Sequence, residues 1–343
     1  MKKKLLTGLM AVVLTLTSFN LMPVNAATAA KTTTATISVY NGGFTLKPTS
    51  IKVSADLDDK YADYIGYSDD TENPTMLDAL IAAHINLYGE DFTKDHGLLV
   101  PGGWISKIVG IDTSAVGYYL NGATSETNAN GETVYYGMTT ELKANSKVEF
   151  DLYSDVTYWS DVYTAFESSE IVSSVGKVAK VTLKAMGYDE NWAPTMVPAA
   201  GVSIKCNGVD VGTTDENGQM QIPCVNVGTM ELEATGTYNG CPIFGAYANV
   251  TVKDNQSISI SSAKTKSYKY SKTKSRSFNI KVKGAKTSLV YSSSSKKITV
   301  SKNGKVTVAK GTKAGTYTVS VYAKASTKYM KSATKKITIK ITK

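Results

Sequence analysis

The sequence has 343 residues, of which 42% are hydrophobic, and a formal net charge of +9. A chain of this length is too long for one hydrophobic core of ordinary size, so we expect two or three domains. Thr, Ser, Val, Tyr and Gly are abundant, and long periodic stretches rich in Leu, Ala and Glu are nearly absent, which favours strands over helices.

The charge is divided unevenly along the chain. Residues 257–343 contain 22 Lys and Arg and no Asp or Glu, so residues 1–256 hold 16 basic and 29 acidic residues. Such an asymmetry of charge indicates which kinds of binding partner the chain attracts. It predicts attraction to anionic polymers such as teichoic acids, and to nucleic acid only non-specifically. The alternative is that these lysines are simply exposed strand positions that discourage edge aggregation.

The N-terminus has the order of parts of a secretory signal peptide. Lys2 to Lys4 form a basic region, Leu5 to Leu16 a short apolar core, and a small-residue cleavage site ends at Ala26. We therefore predict a signal peptide over residues 1–26 and a flexible leader over 27–35. No later apolar run has spanning length. The expectation is a secreted, extracellular or cell-wall-associated protein with no transmembrane anchor.

The first predicted module, residues 36–166, combines strands with one helix. Thr36 to Leu46 indicates two strands around the turn Asn41-Gly42-Gly43. Pro74 opens a helix that Gly89 ends. The hairpin turn Asn121-Gly122 and two further strands follow, which together predict an α+β unit.

The motifs TISVYNGG, TMLDALIAA, SKIVGI, GYYLNG and KVEFDLY, in this order, resemble the transcobalamin-like C-terminal domain family of exported bacterial proteins. The resemblance implies a β-grasp-like fold. In the vitamin carriers of that family, the equivalent module helps to enclose cobalamin, so the resemblance implies a tetrapyrrole as one candidate ligand, beside a glycan or a protein. Bacterial members share no uniform ligand that could be carried over.

The second predicted module, residues 176–253, has turn signals at short intervals and no helix pattern, which indicates a β-sandwich. Its run AGVSIKCNG…VGTTDENGQMQI resembles prealbumin-like or carboxypeptidase-regulatory-like Ig folds. The third module, residues 257–343, consists of period-2 strands with a type I′ turn expected at Asn303-Gly304. The run KITVSKNGKVTVAKGTKAGTYTVSVYAKAS resembles bacterial immunoglobulin-like (group 2) repeats, which implies a spacer or attachment module.

The fold class predicted from these modules is mainly β and multidomain. A β-grasp-like α+β head is followed by two Ig-like β-sandwiches. No G-x-S-x-G elbow occurs, and the two histidines, His84 and His96, both lie in the head, so nothing supports a nucleophilic triad. We therefore predict a non-enzymatic protein with no cofactor and no metal site.

The acidic stretch 56–73 of the head allows two readings. Its clustered carboxylates could bind calcium, but the D-x-[DN]-x-[DN]-G pattern is missing, so a solvated loop is the better expectation. A carboxylate pair for glycoside hydrolysis is also poorly supported, because these carboxylates cluster in a loop and do not lie on facing strands.

Aromatic residues near turns are the candidate ligand contacts, because exposed rings stack on sugars and flat ligands. The candidates are Trp104, Tyr118, Tyr119 and Asn121; ordinary core packing is the alternative for each ring. Cys206, Cys224 and Cys241 are candidates for a disulfide in an exported chain. The alternating strand pattern favours a Cys206–Cys224 bond and leaves pairings with Cys241 open. The candidate polyanion contacts are Lys272, Lys274, Arg276, Lys296, Lys297, Lys335 and Lys336.

Two functions follow from these features. The first is a binding protein at a Gram-positive-type cell surface, whose head binds a ligand or partner and whose basic module holds anionic wall polymers. The alternative is a structural adhesin or scaffold that contacts proteins or glycans and has no small-molecule ligand.

Overall fold

A computed structural model describes residues 30–190 and 193–343. The predicted signal peptide lies outside these residues, as does the leader up to residue 29. The chain forms three modules, here called the head, the middle module and the third module. The strands of the head are β1 Thr32–Tyr40, β2 Phe44–Ser54, β3 Lys107–Ile108, β4 Ile111–Asp112, β5 Val116–Leu120, β6 Ser125–Thr127, β7 Thr133–Tyr135 and β8 Ser146–Leu152.

The head contains three α-helices and a short 3-10 helix, which are α1 Leu57–Ile65, α2 Met76–Tyr88, α3 Phe92–Asp95 and Pro101–Gly103. Helix α2 begins at a capping box, in which Thr75 and Asp78 satisfy each other's backbone N–H groups, and ends at Gly89. Helix α1 was not expected, because the carboxylates of its stretch suggested a loop. Leu57, Tyr61 and Ile65 nevertheless lie four residues apart, which places them on one helix face.

The head sheet has the strand order β2-β1-β8-β5. Strands β1 and β8 run parallel, and the other pairs are antiparallel. One face packs on α2, where Ile37, Val148 and Phe150 belong to the main core of the head. The other face, which carries Tyr40 and Tyr119, packs against the middle module. Because both faces are covered, β8 is buried along nearly its whole length.

The middle module is a β-sandwich. One sheet has the order β10-β19-β16-β13-β14 and the other β12-β11-β9-β18-β17, with β15 paired to β11. Its strands are β9 Val162–Phe166, β10 Glu170–Ser174, β11 Lys177–Tyr188, β12 Pro194–Pro198, β13 Ser203–Cys206, β14 Val209–Thr213, β15 Gln219–Cys224, β16 Gly228–Thr235, β17 Thr237–Tyr238, β18 Cys241–Phe244 and β19 Tyr247–Lys253.

Strand pairing shows that the middle module begins at a lower residue number than the sequence pattern predicts. Strand β9 pairs with β11 and β18, and β10 pairs with β19. The segment up to residue 166, expected in the head, therefore ends with a strand of the middle sandwich. The sequence pattern could not show this, because β9 finds its partners about 20 and 80 residues away in the chain.

The third module has a four-stranded sheet, β21-β28-β27-β24, a three-stranded sheet, β22-β26-β25, and the pair β20-β23. Its core is built from Val and Ile at alternating positions. The strands are β20 Ser259–Ile260, β21 Thr265–Lys269, β22 Arg276–Asn279, β23 Val282–Lys283, β24 Leu289–Ser293, β25 Ile298–Val300, β26 Lys305–Val308, β27 Gly315–Ala323 and β28 Lys335–Thr342.

The predicted fold class, mainly β with an α+β head and Ig-like sandwiches, is confirmed. No helix among the described residues is both long enough and apolar enough to cross a membrane. The Asn121-Gly122 turn has positive φ at both residues, as a type I′ turn requires. At Asn303-Gly304 only the glycine has positive φ, and Gly304 N–H donates to Ser301 O at 2.9 Å. That turn is therefore a longer loop than the expected type I′.

Candidate functional site

The head and the middle module meet through a cluster of aromatic rings, the head–middle interface. It consists of Tyr40 and Tyr119 from the head and Tyr163 and Phe244 from the middle module, all buried. The rings of Tyr119 and Tyr163 stack with centroids 4.2 Å apart, and Tyr119 meets Phe244 edge to face at 6.2 Å. Each such pair contributes about 0.5–1.5 kcal/mol beyond the area it buries.

Two carboxylates of β8 lie beside these rings. The hydroxyl of Tyr163 donates to Glu149 Oε2 at 2.8 Å, and Lys147 Nζ lies 2.8 Å from Glu149 Oε1. Burial, followed by the charge of Glu149, raises the pKa of Asp151 well above its usual value. Burial and Glu149 likewise raise the pKa of the Tyr163 phenol. Burial at the interface therefore disfavours the charged forms of Asp151 and Tyr163.

Two further contacts cross from head to middle module. Gly245 lies against the Tyr40 ring so closely that a Cβ at this position would collide with it. Lys47 Nζ lies 2.6 Å from Glu231 and 3.1 Å from Glu233 of β16. This ion pair is partly exposed, so its contribution to stability is small. The two modules are thus joined by a packed contact as well as by the chain.

A groove runs along one side of this junction. One part has a volume of about 260 Å³ and lies between the turn around Gly122 and the middle-module residues Met186 and Met196. A second part, of about 350 Å³, adjoins it and is lined by Asn121, Gly122, Tyr163, Ala165, Phe166, Glu167, Lys184 and Met196. We call the two parts together the junction groove. Methionine side chains adapt their shape readily, which suits a lining that meets a ligand.

The four predicted ligand contacts do not gather at one place. Asn121 lines the junction groove, and its Oδ1 accepts the backbone N–H of Lys147 at 2.9 Å. Tyr119 is 4% exposed at the head–middle interface, and Tyr118 packs on the head core. Trp104 is 74% exposed in its own loop. For both tyrosines the packing alternative therefore describes the structure better, and a shared site with Trp104 is not formed.

A segment that the sequence analysis did not single out exposes more aromatic surface. Residues 154–161, here called the aromatic loop, connect β8 to β9. Val156, Tyr158 and Trp159 in this loop are 59%, 83% and 50% exposed. The Trp159 ring contacts Tyr153 at 5.1 Å between centroids, and the Trp159 backbone has a φ of 54°. That backbone conformation is uncommon for a bulky residue.

Two aspartates fix the shape of the aromatic loop. Asp161 accepts hydrogen bonds from Ser154 N–H, Ser154 Oγ and Asp155 N–H at 2.7–2.9 Å. Asp155 accepts from the N–H groups of Thr157 and Tyr158 and from Ser160 Oγ. These bonds, with Ser160 first, lower the pKa of Asp155. The repeated Ser-Asp pair on either side of VTYW is the sequence signal that could have revealed this loop.

The acidic stretch of the head is not a solvated loop as expected. Asp58, Asp69 and Asp78 are buried. Asp58 Oδ2 accepts the N–H of Asp69 at 2.6 Å, and Asp78 Oδ1 accepts the N–H of Asp58 at 3.2 Å. Asp78 thus joins the first turns of α1 and α2, and Asp58 holds the segment that connects the two helices. Within residues 30–190 and 193–343, no group of three His, Cys, Asp or Glu side chains could hold a metal ion.

The two histidines have packing contacts. His84 is fully buried, its Nδ1 lies 2.8 Å from Leu80 O, and its Nε2 accepts the N–H of Val109 at 3.0 Å. These partners define the neutral tautomer with the proton on Nδ1. Burial lowers the pKa of His84 to about 4. His96 stacks on Tyr88 with centroids 4.0 Å apart.

The three cysteines, all within the described residues, are free thiols. The expected Cys206–Cys224 bond is therefore not formed in this structure. Cys206 and Cys224 do pack on the same core, as their strand positions predicted. They lie on β13 and β15 in opposite sheets, and the Cys224 thiol donates to Ile222 O at 3.6 Å. Burial raises the pKa of the Cys206 thiol, which makes it less reactive.

Six exposed lysines of the third module lie together at one end. Three loops meet there, since Gly311 N–H donates to Ser271 O at 2.8 Å and Ala309 N–H donates to Lys297 O at 2.9 Å. We call this end the lysine tip. Its exposed lysines are Lys272, Lys274, Lys296, Lys297, Lys310 and Lys313.

Of the other three predicted polyanion contacts, two lie elsewhere and one borders the tip. Lys335 and Lys336 begin β28, whereas the lysine tip adjoins the end of that strand, where Tyr270 N–H donates to Thr342 O. Arg276 is half-buried and borders the tip, because it pairs with Val308 of β26 and lies beside Lys274 and Ala309. Burial raises the pKa of the neighbouring Tyr268, and the charge of Arg276 opposes this shift. Four of the seven predicted residues therefore form the tip together with Lys310 and Lys313, and Arg276 adjoins it.

Comparisons with known proteins find Ig-like and fibronectin III β-sandwich modules. No protein-family model and no curated protein matches the chain. The chain is similar to the fibronectin(III)-like modules of Clostridium thermocellum CbhA, at 13% identity and a TM-score of 0.32, over 52% of this chain and 93% of that one.

Two further solved structures are similar at the same low level. Sidekick-1 immunoglobulin domains 1–4 match at 10% identity and a TM-score of 0.27, over 66% and 67% of the two chains. Murine CEACAM1b matches at 13% identity and a TM-score of 0.25, over 52% and 100%. Similarity at this level carries no argument about what the chain binds. The resemblance of the head to the transcobalamin-like family has no support from a family match.

Proposed function

We propose that this chain is a non-enzymatic extracellular binding protein that attaches to anionic cell-wall polymers through its lysine tip. The observation that carries the proposal is the gathering of Lys272, Lys274, Lys296, Lys297, Lys310 and Lys313 at one end of a module that contains no acidic residue. Closely spaced exposed ammonium groups create a positive potential that attracts polyphosphate chains such as teichoic acid.

The distribution of charge in the rest of the chain supports this arrangement. Residues 27–256 contain 13 basic and 29 acidic residues, so the head and the middle module are repelled by the polymer that the tip binds. This repulsion orients the molecule with its head away from the wall. DNA of any sequence should bind the same tip, because the phosphate backbone alone is recognised.

The test is binding of the mature full-length chain to purified poly(glycerol phosphate) teichoic acid at increasing salt. Replacing the six tip lysines by Gln should weaken binding at least about tenfold and reduce the salt dependence, because fewer counterions are released. The matched control replaces six exposed lysines away from the tip by Gln: Lys281, Lys283, Lys286, Lys324, Lys335 and Lys336. Equal losses in both variants, or binding unchanged by salt, would contradict the proposal.

A ligand for the head is the second part of the proposed function, and the junction groove supports it. The transcobalamin-like resemblance suggests a tetrapyrrole or another small molecule, and Asn121, Met186 and Met196 would meet a ligand in the groove. A thermal-shift screen of the whole chain against cobinamide, haem and a glycan panel tests this, because a ligand of the native state raises the melting temperature. A response that Met196→Glu abolishes would place the ligand in the groove.

The alternative is a structural adhesin, favoured by the exposed rings of Trp104 and of the aromatic loop. In that case the groove stays without ligand, and the protein contacts other proteins or glycans through these rings. A flat thermal-shift screen, together with loss of cell adhesion on Trp104→Ser, would favour the adhesin over the ligand carrier.

A further inference from the structure

We propose that the aromatic loop is a docking site for the lysine tip of a second copy of this chain. The loop displays Val156, Tyr158 and Trp159 on a frame fixed by Asp155 and Asp161. Aromatic faces attract ammonium groups through the ring quadrupole, most strongly at Trp. A surface that combines exposed rings with carboxylates therefore suits lysine side chains.

The charge around the loop is complementary to the tip. Residues 148–176 contain six Asp and Glu and no Lys or Arg, whereas residues 257–343 contain 22 Lys and Arg and no Asp or Glu. Opposite patches of this kind steer association and set its orientation. Two of the six carboxylates, Glu149 and Asp151, are buried at the head–middle interface, and Glu167 and Glu170 lie beyond the far end of β9. The negative charge at the loop itself therefore comes from Asp155 and Asp161.

Lysine–ring contacts already occur within the chain. Lys331 Nζ lies 4.1 Å from the centre of the Tyr322 ring, and Lys60 Nζ lies 5.1 Å from that of Tyr61. The rings of Tyr158 and Trp159 are exposed and ready for the same contact with another molecule. Because hydrogen bonds hold the loop in shape, little conformational entropy is lost when it binds.

The tip of the same molecule is too distant to make this contact. The aromatic loop leads into β9, at the end of the middle module that meets the head, and β19 runs from there to the linker at Asp254. That linker contacts the third module at Lys328 and Met330, at the end opposite the lysine tip. The length of two sandwiches therefore separates the loop from its own tip.

Loop and tip are different surfaces, so the contact is heterologous. A heterologous contact that does not close into a ring produces open chains. The expected assembly is a linear, head-to-tail array that is weak in free solution and sensitive to salt. The proposed self-association does not depend on the proposed binding of wall polymers, although both contacts use the lysine tip.

The experiment is sedimentation equilibrium of the mature full-length chain at about 20 mM and about 500 mM salt, since screening weakens contacts between exposed charges. At low salt the weight-average mass should keep rising with concentration beyond a dimer, and high salt should return it to the monomer. A monomer at every concentration, or a mass that stops at the dimer, would overturn the proposal.

Variants define the two surfaces. Tyr158→Ser with Trp159→Ser should weaken association at least about tenfold, as the loss of two ring contacts predicts. Trp104→Ser, which removes another exposed ring, should leave it unchanged. If the Trp159 substitution disturbs the loop, Val156→Ser with Tyr158→Ser keeps the Trp159–Tyr153 contact and should still weaken association. Association unaffected by every loop variant would refute the role of the loop.

A mixing experiment separates this contact from general attraction between charges. The loop variant retains its tip, and the six-lysine tip variant retains its loop, so neither should form chains alone. An equimolar mixture should form a one-to-one complex and nothing larger. Chains in the mixture, or no complex, would contradict the head-to-tail arrangement. The loop variant should still bind teichoic acid, so a failure of this inference is distinguishable from a failure of the proposed function.

Discussion

The hydroxyl of Tyr163 in the middle module donates a hydrogen bond of 2.8 Å to Glu149 Oε2 in the head. Glu149 also pairs with Lys147 of its own strand. The bond lies beside the stacked rings of Tyr119 and Tyr163, where water is largely excluded. Polar and aromatic contacts thus act at the same point to hold two modules together.

Tyr163→Phe should destabilise the protein by about 1–3 kcal/mol, because a buried carboxylate loses a donor while the ring stack remains. Denaturant unfolding monitored by tyrosine fluorescence measures the change. Tyr158→Phe removes a hydroxyl from an exposed ring and is the matched control. Equal stabilities of the two variants would show that the hydrogen bond contributes nothing net.

Gly245→Ala should weaken the packing of the head against the middle module. The added Cβ would collide with the Tyr40 ring, and overpacking of this kind costs about 1–3 kcal/mol. Gly137→Ala is the control, since nothing lies within 4 Å of a Cβ at that position. Limited proteolysis of the 154–161 connection should be faster in Gly245→Ala than in the control. Indistinguishable cleavage rates would mean that Tyr40 simply moves aside.

His84 should make the head sensitive to acid. Its pKa is lowered from 6.5 to about 4 in the folded state, so its contribution to stability is complete above pH 6.5 and is lost as the pH falls through 4. The loss approaches about 3 kcal/mol at full protonation. His84→Gln should be less stable than the natural protein at pH 8, and this difference should shrink toward pH 4. A difference independent of pH would contradict the buried neutral imidazole.

Asp58 and Asp78 should produce the opposite pH dependence. Burial, and then the charge of Asp58, raise the pKa of Asp78 from 3.8 to about 7. The folded state therefore holds a proton that the unfolded chain releases, and stability falls as the pH rises from 3.8 through 7. Asp58→Asn should gain stability relative to the natural protein at pH 8 but not at pH 4. Asp59→Asn, at an exposed position, should show no such gain.

The local pattern in the sequence predicted the elements whose partners are close in the chain. The helix ending at Gly89 and the Asn121-Gly122 hairpin are present because capping and turn chemistry act over three or four residues. The local pattern does not predict helix α1, because the clustered carboxylates of its stretch are typical of a solvated loop. In the structure Asp58 is buried and accepts the N–H of Asp69, and Asp69 in turn accepts the N–H of Thr71.

The candidate sites were less predictable, because a site depends on which distant residues meet. Tyr118 and Tyr119 looked like ligand contacts beside a turn, but the fold covers one with the head core and the other with the middle module. The Ser-Asp pairs of the aromatic loop indicate a turn, but the exposure of its rings depends on the backbone that Asp155 and Asp161 hold in place. No local pattern distinguishes a ring that is packed from a ring that is exposed.

By itself, the sequence determined the β-rich modular architecture and the separation of charge along the chain, because strand alternation and charge are properties of neighbouring residues. The tertiary structure decided that the head sheet is covered on both faces, and that six lysines from separate loops form one tip. Both features depend on contacts between residues far apart in the chain, and only the folded backbone brings such residues together.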